Sequence, residues 1–169
     1  MKKPSIDTSA STARHGIAVA FAAAAVTLSA FSMSSELQAS GDATVIVLTQ
    51  TPCQFLETEG VDHGYSAEKR ADCMKINDAS GAERLEKSEN LVLKPGKYIF
   101  RVSNKNVPYT LGFWLRGDGL ANRAMLPSVS GGGLAEGQTA DYQITLEEGD
   151  YVFSCPLNPT PDYKLRVKG

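Results

Sequence analysis

Apolar and polar positions alternate with a period of two through most of the second half of this chain. In Tyr98-Ile99-Phe100-Arg101-Val102, the residues Tyr98, Phe100 and Val102 fall on one face. Leu91-Val92-Leu93 precedes that run across the turn Lys94-Pro95-Gly96-Lys97, so the two form a strand-turn-strand unit. Runs of the same kind at 109–115, 139–146, 151–155 and 163–167 predict further strands. They are separated by Ser130-Gly131-Gly132-Gly133, by Glu147-Glu148-Gly149-Asp150 and by a loop carrying Pro156, Pro159 and Pro161. The glycine tract has no Lys-Ser/Thr behind it and opens no helix, so it is expected to be a flexible connection rather than a phosphate loop. A β-branched run at 43–50 predicts one more strand near the start. Short strands at this spacing imply an all-β sandwich or small barrel.

Residues 51–90 break the alternation. They are polar and charged, with a short helix expected from Ser66 through Met74 and helical composition over 83–89, and they read as a surface insertion after the first strand. The first 39 residues differ again. Lys2, Lys3 and Arg14 precede an apolar run from Gly16 to about Met33, and Leu37-Gln38-Ala39 offers a cleavage point. Residues 1–39 are therefore expected to be a Sec-type signal peptide and 40–169 the folded domain, exported to a bacterial periplasm, which is oxidising.

The chain has 17 basic and 19 acidic residues. That balance excludes a strongly basic nucleic-acid binder, and nothing after the leader could span a bilayer. A Ser-His-acid hydrolase lacks support because His63 is the only histidine after the leader. No general base stands beside a nucleophile, so no enzymatic activity is expected. The spacing of Cys53, Cys73 and Cys155 matches no zinc module.

The segment Leu146-Glu147-Glu148-Gly149-Asp150-Tyr151-Val152-Phe153-Ser154-Cys155 resembles the penultimate strand of cupredoxins, which delivers the copper thiolate. Lys94 to Asn104 resembles the strand leading into the first ligand loop, and Asn104 to Tyr109 resembles that loop. The resemblance implies a cupredoxin-like Greek-key β-sandwich with the polar, partly helical insertion after its first strand. The ligand set departs from the family. Tyr109 stands where the first histidine follows proline, Asn158 is nearest the second, and no methionine follows Cys155. Phenol and amide are poor copper ligands, so an ordinary blue centre is not expected. The ending from Ser154 to Gly169, with Cys53 soon after the first strand, is most similar to the cupredoxin-like domain of periplasmic ferrous-iron uptake components. In that fold Cys53 and Cys155 lie at the same pole.

Three cysteines in an oxidising compartment leave one unpaired. Either Cys53 pairs with Cys155, or Cys53 pairs with Cys73 and staples the insertion. The second is favoured, because a polar insertion of this size has little hydrophobic burial to hold it. Cys155 with His63 and Met74 or Cys73 is then the candidate metal constellation, and copper, iron and no cofactor at all remain open. Alternation places Trp114 opposite the face of Tyr109, Leu111, Phe113 and Leu115. Together with Arg116 it offers a surface for a periplasmic protein partner, while Arg116 and Asp118 read as a turn pair. The expected function is copper or iron binding or handling through a non-blue site at the Cys155 pole. The alternative is a non-metal binding or interaction module on the same scaffold.

Overall fold

A computed structural model describes residues 42–169; the expected leader, 1–39, lies outside the described residues. The strands are β1 (Thr44–Thr51), β2 (Gln54–Phe55), β3 (Leu91–Leu93), β4 (Gly96–Asn104), β5 (Leu111–Gly117), β6 (Val129–Leu134), β7 (Thr139–Leu146), β8 (Gly149–Ser154) and β9 (Tyr163–Val167). The helices are α1 (Leu56–Glu59), α2 (Arg70–Lys87) and α3 (Gly119–Met125). One sheet runs β2-β1-β4-β7 and the other β3-β9-β8-β5-β6, and the chain crosses repeatedly between them, as in a Greek-key sandwich. β1 pairs parallel with β4, and β3 parallel with β9; the other pairings are antiparallel.

The alternation read from the sequence decides which faces meet. Tyr98, Phe100 and Val102 of β4 are buried, as are Leu111, Phe113 and Leu115 of β5. Between the sheets Phe100 stacks on Phe113 at 5.6 Å, and Phe113 also packs on Tyr142 at 5.0 Å. Each such ring contributes about 2–3 kcal/mol on leaving water. A one-residue slip would turn the whole row to solvent, so the register is fixed by burial.

Four expectations need correction. Ser130-Gly131-Gly132-Gly133 is not a flexible connection but the body of β6, paired with β5. The glycines serve close packing there: a Cβ on Gly131 would lie 2.8 Å from Tyr142 Cε1, and one on Gly112 would lie 2.7 Å from the Gly131 carbonyl oxygen. The expected short helix and the helical tract at 83–89 are one 18-residue helix, α2. It starts at Arg70 rather than at Ser66, and the Asp72 carboxylate holds its entry, accepting the backbone N–H groups of Glu68 and Lys69. The insertion also reaches the core, because β2 inserts Phe55, fully buried, edge-on against Phe113, Phe153 and Tyr163. Finally, the turn expected at Arg116 and Asp118 leads directly into a helix, α3. Gly117 admits it, since any Cβ there would collide with the Asn122 carbonyl.

Candidate functional site: the Cys155 pole

β8 ends at Ser154 and leaves Cys155 at the rim of the sandwich, 1% exposed. Its Sγ accepts the Gly112 N–H at 3.4 Å and the Asn158 N–H at 3.1 Å. Burial pushes the thiol above its ordinary pKa, opposed by the backbone N–H groups of Gly112, Asn158 and Leu157. Cys155 is thus a protonated, shielded thiol at neutral pH.

Asn158, fully buried, organises everything around it. Its Oδ1 accepts the Cys53 N–H at 3.0 Å and the Tyr109 hydroxyl at 3.1 Å, while its Nδ2 donates to the Thr51 carbonyl at 3.0 Å. Burial raises the Tyr109 pKa, with Cys155 and Asp72 adding to it, so the phenol remains a donor. Cys53 and Cys73 form a disulfide, the pairing favoured from sequence. The Cys73 sulfur lies 3.0 Å from Asn158 Oδ1. The two degenerate ligand positions, Tyr109 and Asn158, therefore bond to each other and to the staple of the insertion.

The candidate metal ligands are not brought together. Cys73 is spent in the disulfide and has no thiolate to offer. Met74 is 42% exposed, with its sulfur facing the Arg70 guanidinium at 3.2 Å. His63 binds Glu59 through Nε2 at 2.8 Å. Among the described residues no group of three or more His, Cys, Asp or Glu side chains is placed to hold a metal ion. A blue copper centre needs two imidazoles beside the thiolate. Here the positions that would carry the imidazoles hold an amide and a phenol already committed to each other, so the residues present do not fit that ion.

Sequence reasoning missed a buried ionic clamp beside the pole. The Glu59 carboxylate, its side chain 2% exposed, receives Arg84 Nη2 at 2.6 Å and Nε at 2.9 Å, together with the Tyr163 hydroxyl and His63. Arg84 also donates to Asn77 Oδ1 and to the Cys53 carbonyl. Burial alone would raise the Glu59 pKa, but the bonds from Arg84, Tyr163 and His63 outweigh it and hold the carboxyl below its ordinary value. Burial drives the Tyr163 phenol far up, so it serves only as a donor. The charge pattern carries no sign of this clamp, because Glu59 meets Arg84 and Tyr163 from 25 and 104 positions away, and only His63 is near it in sequence.

On the outer face of the second sheet, Trp114 is half-buried under the guanidinium of Arg116, 4.1 Å from the ring, with that of Arg123 at 5.6 Å. Arg116 does not pair with Asp118. It makes a bidentate bond to Asp162 and a further one to Ser154, while Asp118 takes Lys164. Beside this group α3 leaves Leu120 86% and Met125 81% exposed.

No family model matches the chain, and no curated protein matches it, ferrous-iron uptake components included. Among solved structures it is similar to auracyanin B, at 13% identity over 75% of this chain and 90% of that one, with a TM-score of 0.46. Among the described residues, no helix is long and apolar enough to cross a membrane.

Proposed function

We propose that this chain is an exported, periplasmic protein-interaction module on a cupredoxin-like scaffold, and that in its disulfide-bonded form it does not carry copper or iron. The observation that carries the reading is Asn158. Its amide occupies the pole and is bonded to Tyr109, Cys53 and Thr51, which leaves Cys155 without a free coligand. The interaction surface is Trp114 and Arg123 with Leu120 and Met125 beside them; Arg116 is itself buried and backs the Trp114 ring. Trp, Arg and Met are enriched in protein interfaces, and the bidentate Asp162 contact holds Arg116 rigid behind the Trp114 ring, which fixes that ring before any partner arrives.

Two measurements test this. Protein purified with its disulfide intact and offered Cu(II), Cu(I) or Fe(II) should retain far less than one metal per chain after desalting and stay colourless. One bound metal per chain, removed by Cys155→Ser, would instead establish the metal-handling reading. A photo-crosslinking residue at position 120, introduced in the living cell, should give one discrete adduct that Trp114→Ala abolishes. An adduct indifferent to Trp114 would refute the proposed surface.

A further inference from the structure

Five residues of α2 that face the Cys155 pole and its support follow the helical rhythm: Arg70, Cys73, Asn77, Gly81 and Arg84. Each meets the same stretch of chain or its support. Arg70 Nε donates to the Pro156 carbonyl at 3.0 Å, the Cys73 sulfur lies against Asn158, and Asn77 Nδ2 donates to the Pro159 carbonyl. Gly81 lies beside the Pro161 ring, and Arg84 locks onto Glu59. This footing is almost wholly polar. The buried residues of α2 are Cys73, Gly81 and Arg84; Leu85, in the C-terminal half, packs on the main core, whereas Ile76 packs on the small cluster around the disulfide, so no apolar stripe glues the N-terminal half to the sandwich. What lies beneath its N-terminal half is the loop that closes over the Cys155 thiol. The C-terminal half is anchored by the ionic clamp, and the N-terminal half is tied by the disulfide.

We propose that α2 is a redox-latched lid. Reduction of Cys53–Cys73 releases its N-terminal half, which swings about the Arg84–Glu59 clamp and uncovers the Cys155 pole. The chemistry is thiol–disulfide exchange with a dithiol reductant. One reductant thiolate attacks a sulfur of the pair and displaces the other as thiolate, then the second reductant thiol resolves the mixed disulfide. Cys53 and Cys73 end as thiols and the reductant as its own disulfide. Both protein sulfurs are buried in the closed form. A crevice of about 360 Å³ between the insertion loop at 62–68 and the pole residues Asn106 and Pro108 approaches the pair without reaching it. Pro52, next to Cys53 in the chain, and Ala67, packed against both cysteines, line it, and a reductant would enter there as the loop opens. Gly64, at φ 65°, sits in the wall of that crevice.

The experiment compares the oxidised wild type with the double variant Cys53→Ser/Cys73→Ser, since Cys155 is then the single free thiol in both. Alkylation of Cys155 by N-ethylmaleimide under native conditions should be at least about tenfold faster in the variant, in line with the loop-closure constraint removed. Hydrogen exchange should accelerate over 60–80 by much more than in β4 and β8, whose exchange should rise only with the loss of global stability. Wild type reduced with a dithiol should match the variant in exchange, and reoxidation should restore slow exchange. Equal alkylation rates would overturn the proposal. So would exchange that accelerates as much in β4 and β8 as in α2, because the disulfide would then hold the whole fold rather than a lid.

Discussion

Asn158 shows how much one side chain can decide. Its amide satisfies three groups buried with it, among them the Cys53 N–H and the Thr51 carbonyl, which have no water to turn to. Leaving such groups unpaired costs about 1–3 kcal/mol each. Asn158→Ala in the oxidised protein should therefore lower the unfolding free energy by about 3 kcal/mol or more in urea denaturation, whereas Pro156→Ala, at an exposed position, should change it little. The sequence marked position 158 only as the amide nearest a missing histidine. Its real partners, Cys53 and Tyr109, lie 105 and 49 positions away, and no local pattern encodes such a meeting. Cys155 was legible as a strand-end thiol; that it is shielded and protonated follows from packing alone.

Among the elements, the ion pair joining α1 to α2 should leave a signature in the pH dependence of stability. Glu59 has a folded pKa below its ordinary value of 4.5. The unfolded chain therefore takes up its proton first as pH falls. The stabilisation is fully present above about 4.5 and is lost as pH drops through the lower folded value. The groups facing the carboxylate are Arg84, Tyr163 and His63. Glu59→Gln should flatten the acid limb of a stability-against-pH curve, and at neutral pH it should cost about 3 kcal/mol because Arg84 is left buried without its anion. An unchanged acid limb would show that the clamp contributes nothing. β6 supplies a second expectation at this scale. Gly131→Ala places a methyl group against the Tyr142 ring and should destabilise by about 1–3 kcal/mol, while Gly133→Ala meets no neighbour and acts only through its positive φ of 83°. The strands themselves were readable because their alternation is local. β6 was not, because glycine carries no hydrophobic signal, and the place it fills is set by Tyr142 on another strand.

For the molecule as a whole, the Cys53–Cys73 disulfide closes a loop of 20 residues, which constrains the unfolded chain by about 3 kcal/mol. Cys53→Ser/Cys73→Ser should thus lower the thermal midpoint by on the order of 10 °C while preserving the β-rich circular dichroism of the sandwich. Loss of that β signal at room temperature would mean that the two sheets need the staple to fold. The row of buried aromatics argues otherwise, because Phe55, Phe100, Phe113 and Phe153 meet between the sheets and draw on every layer of the core.

The amino-acid sequence by itself determined the alternating strands, the faces they bury, the polar character of the insertion and the mismatch between the copper ligand pattern and this chain's residues. These are properties of neighbouring positions, and a period of two or an absent histidine is visible without any fold. The tertiary structure alone decided that Tyr109 and Asn158 bond to each other, that Glu59, Arg84 and Tyr163 form one buried clamp, and that a helix with a polar stripe lies across the Cys155 pole. Such contacts join residues far apart along the chain. Their strength comes from a shared environment without water, which exists only once the sheets have closed around it.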